Sequence, residues 1–197
     1  MMRGRLAAVI LWALGMLIAG CVSSPDSRYY TLNATMNHAA ESSSLSVVVG
    51  PVSVPAAVDR PQIVVSTGPN QVRVDDYNRW ASPLQSNISR VIADNLGSIL
   101  GTPRVTVFPQ ALVATADYQA AVEVQSFESA LGEAATLDAV WTVRRIKDGK
   151  LRVGRTTVRE PASERGYDAL AAAHSRAAAR LSQDIAGAVR ALDGPGE

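Results

Sequence analysis

The chain has 197 residues, 47% of them hydrophobic, with 19 basic and 18 acidic side chains and a formal net charge of +1. That is enough apolar material for one core, and too even a charge balance for the concentrated basic footprint that nucleic-acid binding requires. One cysteine and two histidines exclude an intrachain disulfide and leave thiolate zinc or iron–sulfur centres without ligands.

Arg3 and Arg5 form a positive n-region, and the apolar run Leu6 to Ile18 has the length of a signal-peptide h-region. It is short of the roughly 20 apolar residues that a bilayer core demands. Ile18-Ala19-Gly20-Cys21 resembles the bacterial lipobox, in which small residues admit the peptidase and the thiol accepts a diacylglycerol thioether. Residues 1–20 are therefore expected to be a cleaved signal peptide, with Cys21 carrying a covalent diacylglycerol and an N-acyl chain. Two or more acyl chains hold a protein firmly to a membrane, each buried methylene adding ~0.8 kcal/mol. Val22, with no Asp after the cysteine, resembles the enterobacterial signal for the outer membrane and implies its periplasmic face. Loss of the leader leaves 17 basic and 18 acidic groups, so the mature chain is near neutral.

Residues 21–27 read as the lipidated cysteine and a short tether reaching about 20 Å, followed by a single domain over 28–192 and a disordered tail over 193–197. Arg28 to Leu32 has strand-type residues, and Asn33 to Ser44 reads as a polar loop. Leu45 to Val49 is a β-branched run that suits a buried strand, punctuated by Gly50-Pro51 and Pro55. Gln62 to Ser66 and Gln71 to Asp75 flank Gly68-Pro69-Asn70, a hairpin signal. Ser82 and Pro83 suit a helix start, and Leu84, Ile88, Val91, Ile92, Asn95, Leu96 and Ile99 recur at helical spacing before Gly101-Thr102-Pro103. Arg104 to Phe108, Tyr118 to Glu128, Leu137 to Ile146 and Leu151 to Val158 read as strands, the last two joined by a turn at Asp148-Gly149. An Ala-rich helix from about Tyr167 to Leu192 carries Leu170, His174, Ala177, Leu181, Ile185, Ala188 and Leu192 on one stripe. The order predicts an α+β domain, two long helices packed on one face of a mainly antiparallel sheet.

Four segments carry a family resemblance. They are Tyr29-Tyr30-Thr31-Leu32, Val49-Gly50-Pro51-Val52-Ser53-Val54-Pro55, Val58-Asp59-Arg60-Pro61-Gln62-Ile63-Val64 and Arg79-Trp80-Ala81-Ser82-Pro83-Leu84. In this order after a lipobox, they resemble the ABC-type transport auxiliary lipoproteins, the PqiC-like family. Ser82 stands where that family often has Glu. The resemblance implies an outer-membrane docking subunit of an MCE-type transporter that moves lipids between two membranes. It implies an MCE-domain partner, a homo-oligomer and no catalysis.

Tyr29, Tyr30, Asp59, Arg60, Arg79 and Trp80 are the candidate partner contacts. Each has a plainer alternative. Adjacent tyrosines on a strand face opposite ways, so one belongs to the core. Asp and Pro form turns unaided, and Arg60 also suits holding loop carbonyls or a carboxylate. Trp and Arg mark interfaces, yet Trp80 equally suits a plug between the first helix and the sheet. His38 falls in the polar loop and His174 on an apolar stripe, both reading as non-catalytic histidines. Asp75 and Asp76 are neighbours that point apart on a strand. No catalytic motif, metal set or other cofactor site is legible. Two other classes stay open: a lipoprotein that helps assemble an outer-membrane component, and a periplasmic ligand-binding protein or enzyme.

Overall fold

A computed structural model describes residues 25–37, 42–109, 116–162 and 164–194. The signal peptide, Cys21 and His38 lie outside these. The elements are β1 (Arg28–Tyr30), β2 (Val47–Ser53), β3 (Gln62–Gly68), β4 (Gln71–Trp80), α1 (Leu84–Leu100), β5 (Val105–Val107), β6 (Tyr118–Ala130), β7 (Ala134–Arg145), β8 (Leu151–Pro161) and α2 (Tyr167–Asp193). They build an α+β domain with two sheets, ordered β1-β4-β3 and β5-β2-β6-β7-β8. α1 lies over β2 and β5, α2 over β6 to β8, and the helices pack on each other.

The sheets are mainly antiparallel, as expected, but not purely so, for β1–β4, β2–β5 and β2–β6 pair in parallel. The antiparallel pairs β3–β4, β6–β7 and β7–β8 are neighbours in sequence joined by short turns. β2 meets β5 only after the β3–β4 hairpin and α1 have intervened, a crossover connection that returns the chain in the same direction. Side-chain alternation marks which face is buried and is blind to strand direction.

β2 also runs through Gly50-Pro51 to Ser53 instead of stopping there, with an irregularity between Val49 and Val52. Gly50 makes this possible: its φ is +129°, and a Cβ on it would stand 2.8 Å from the Cβ of Phe108. A side chain is therefore excluded both by conformation and by space. α1 starts one residue after Pro83, which occupies the N-cap without a side-chain cap, and ends on Gly101 in the left-handed conformation.

In β6 the buried face changes parity. Tyr118, Ala120, Val122 and Val124 face the core, then Phe127 and Ser129 do, because the register shifts between Val124 and Ser126 opposite Ala139 and Asp138. One extra residue in a strand turns every later side chain to the other face. The α2 stripe is buried along its whole length, from Leu170 through His174, Ala177, Leu181, Ile185 and Ala188 to Leu192. Alanines there let the sheet come close. Asp193, assigned to the tail by sequence, is the last residue of α2, where its carboxylate accepts a hydrogen bond from the Tyr118 hydroxyl at 3.0 Å. Among the described residues no helix is long and apolar enough to cross a membrane.

Candidate functional site

The six candidate contacts converge on one end of the molecule and divide between core and surface. β1 pairs with the end of β4 so that Tyr29 lies beside Arg79 and Tyr30 beside Trp80. Paired residues share a face. Tyr29 is 64% exposed, whereas Tyr30 and Trp80 are buried, so the alternation resolves the tyrosine pair: Tyr30 is core and Tyr29 is surface. The Tyr30 hydroxyl donates to Asn78 Oδ1 at 2.8 Å, and its ring stands 5.8 Å from that of Tyr167 at the start of α2. Burial raises the Tyr30 pKa, with Asp168 adding to the effect.

Trp80 is a core residue, and it plugs a different gap from the one expected. Its ring stands edge-on to Phe127 of β6 and His174 of α2, at 6.1 and 6.3 Å between centroids. Its backbone N–H donates to Pro61 O at 2.7 Å, and Ala81 N–H donates to Tyr30 O at 2.8 Å. Those two bonds tie the Asp59-Arg60-Pro61 loop and β1 to the same corner. Asp59 and Arg60 are exposed and, with Pro61 and Trp80 to Pro83, rim a shallow groove of about 290 Å³. Arg79 is half-buried, its Nε donating to Asp76 O at 3.1 Å. The surface part of the candidate set is therefore Tyr29, Asp59, Arg60 and Arg79.

The adjacent carboxylates diverge as expected. Asp76 is exposed, while Asp75 accepts hydrogen bonds from the Tyr167 hydroxyl at 2.7 Å, Asn78 Nδ2 at 2.9 Å and the backbone N–H groups of Tyr77 and Asn78. Burial alone would raise its pKa. The four donors outweigh it and hold the carboxyl at about 2, while burial and the Asp75 charge push Tyr167 to about 12. This pair fastens the irregular middle of β4 to the first turn of α2, a structural role.

His174 is fully buried and only half satisfied. Its ring stacks on Phe127 at 3.8 Å, Nε2 lies 2.8 Å from Ser129 Oγ, and Nδ1 has no partner among the described residues. Burial holds its pKa down to about 3, so the ring is neutral. A buried N–H without an acceptor costs more than a bare lone pair, which places the proton on Nε2, donating to Ser129.

A second concavity escaped the sequence reading. β2 pairs with β6 only as far as Ser53 opposite Glu123, so the later residues of β6 present an open edge. That edge and the β3–β4 hairpin bound a groove of about 620 Å³ lined by Val64, Ser66, Val72, Gln125, Ser126 and Glu128. Where one strand stops beside another is a tertiary fact with no sequence signal of its own.

The family model of the ABC-type transport auxiliary lipoprotein component matches residues 30–186. No curated protein matches the chain. Among solved structures, an uncharacterized protein is 24% identical with a TM-score of 0.69, covering 84% of this chain and 99% of its own. A DUF330 protein from Xanthomonas campestris is 20% identical with a TM-score of 0.68, over 83% of this chain and 94% of its own. These two structures share the fold described above.

Proposed function

This chain belongs to the ABC-type transport auxiliary lipoprotein components, and on that premise we propose that it is a lipid-anchored docking subunit of an MCE-type ABC transport system. It works without catalysis, at the periplasmic face of the outer membrane, in a homo-oligomer that receives an MCE-domain subunit as lipids move between inner and outer membranes. The observation that supports this most is the family match over residues 30–186, together with the convergence of the motif segments at one corner. Tyr29, Arg79, Asp59 and Arg60 meet there, at the end where the tether enters. We assign these four to contacts within the assembly at the membrane-proximal end, with Tyr30 and Trp80 holding the corner from inside.

Purification of the full-length protein from detergent-solubilised envelopes tests this, with an MCE-domain subunit expected in the eluate. Recovery of the lipoprotein alone, under conditions that preserve other envelope complexes, would count against the transport assignment. The anchor has its own test. Cys21→Ser removes the only thiol of the chain, so the variant should accumulate as an uncleaved precursor that takes up no labelled fatty acid; normal maturation of the variant would overturn Cys21 as the lipidated residue.

A further inference from the structure

The β7–β8 hairpin holds a concentration of charge that the rest of the near-neutral chain lacks. Between residues 144 and 155 lie Arg144, Arg145, Lys147, Lys150, Arg152 and Arg155 against one acid, Asp148. Lys147 and Lys150 are the only lysines of the chain. Two of the six cations are engaged: Arg145 bonds Asp148 at 2.6 Å and the Leu192 carbonyl, and Arg155 pairs with Asp138. Asp117, whose pKa is lowered chiefly by its hydrogen bonds from Ser46 and also by Lys147, accepts those bonds at 2.8 and 2.6 Å. Arg144, Lys147, Lys150 and Arg152 are exposed and have no ion-pair partner among the described residues.

β8 is the edge of its sheet, and cations on an edge strand ordinarily guard against unwanted strand pairing. Guarding does not account for the apolar residues between them. Leu151 is 55% exposed and Val153 64% exposed, on the same sheet face as Arg144 and Thr142, their register partners on β7. Arg144 on that face and Lys147 and Lys150 in the adjoining turn edge these apolar side chains, whereas Arg152, paired with the buried Val143, projects from the opposite face. Apolar side chains edged by unpaired cations form a surface built to be covered.

The position of the hairpin says by what. α2 begins at Tyr167, packed on Tyr30, and its Leu192 carbonyl meets Arg145 at the hairpin. Twenty-five residues of helix separate those points, a rise of about 38 Å. The tether that joins Cys21 to β1 reaches only about 20 Å. The anchored end and the basic end are thus opposite ends of the domain, and the basic end is directed away from the bilayer that holds Cys21.

We propose that the hairpin formed by residues 144–155 docks an acidic protein surface of the transport partner, Leu151 and Val153 filling the centre of the contact and Arg144, Lys147 and Lys150 pairing with its carboxylates. The identity of that partner rests on the transport assignment above; the docking face itself does not.

The lysine content supplies the experiment. A carbodiimide joins a lysine amine to a carboxylate with loss of water and no spacer, and this chain offers only Lys147 and Lys150 as lysine amines. Treatment of envelopes carrying the full-length protein should give an adduct between these lysines and Asp or Glu residues of the MCE-domain subunit. Lys147→Arg/Lys150→Arg should retain partner recovery and lose the adduct. Arg144→Glu/Lys147→Glu/Lys150→Glu should cut recovery about tenfold or more with melting unchanged, and wild-type recovery should fall as salt screens the contact.

Recovery that survives charge reversal overturns the proposal. It is also overturned if the lipidated chain, in phosphatidylcholine vesicles containing phosphatidylglycerol, has both lysines shielded from an amine label that reaches them in phosphatidylcholine alone, because the occupant is then a membrane. Adducts mapped to acidic residues of a different, identified protein would sustain the docking face and sink the transport assignment, so the two fail separately.

Discussion

Trp80→Ala should remove about 3–5 kcal/mol of folding stability, a large share of the ~5–15 kcal/mol typical of a whole domain. Trp80 is 5% exposed and stands edge-on to both Phe127 and His174, so truncation opens a cavity where the small sheet, β6 and α2 meet. Edge-on aromatic pairs also add about 0.5–1.5 kcal/mol beyond the area they bury. The backbone bond from Trp80 to Pro61 survives the substitution, and the loss is therefore one of packing. Trp80→Phe should restore most of it, since a smaller ring still meets Phe127. Urea unfolding monitored by far-ultraviolet circular dichroism measures both variants. Unchanged stability in Trp80→Ala, accompanied by loss of partner binding, would instead move Trp80 to the interface.

Stability should also decline as pH falls from 6.5 to 4.5, by about 2–3 kcal/mol, because of His174. Its imidazole is fully buried and burial holds its folded pKa at about 3, against 6.5 in the open chain. Between those values the unfolded chain binds a proton that the folded chain refuses. Stability is therefore complete above pH 6.5 and is lost as pH falls toward the folded value. Asp75 and Asp148, each held at about 2, take up protons in the unfolded chain only near 3.8, which leaves the upper window to the histidine. His174→Gln keeps a donor for Ser129 and removes the titration, so its unfolding free energy should change by less than about 1 kcal/mol over the same window. His38→Gln serves as the control. A wild-type protein equally stable at pH 6.5 and 4.5 would show that His174 is not held neutral.

Much of the fold was legible because one face of each element is apolar. The two helices appear within a residue or two of their expected bounds, and every residue of the α2 stripe is buried. The β3–β4 hairpin forms around Pro69-Asn70, as the turn residues required. Strand direction was not legible: β2 reads the same whether its neighbours run parallel or antiparallel, and its course through Gly50-Pro51 depends on the close approach of Phe108. The β6 bulge was hidden for a related reason, since an extra residue inverts the alternation from which burial is inferred.

The candidate site was half legible. Periodicity alone establishes that Tyr29 and Tyr30 oppose one another, and it cannot say which faces inward; the packing of Tyr30 against Tyr167 decides that. Local sequence determined the elements, their apolar faces and the family motifs, all properties of residues a few positions apart. The tertiary structure alone decided that Trp80 lies against Phe127 and His174, that β6 keeps an open edge beyond Glu123, and that the cations of β7 and β8 stand a helix length from Tyr30 of β1. Each of these depends on contacts between residues distant in the chain, which the burial of the whole core selects and no local pattern encodes.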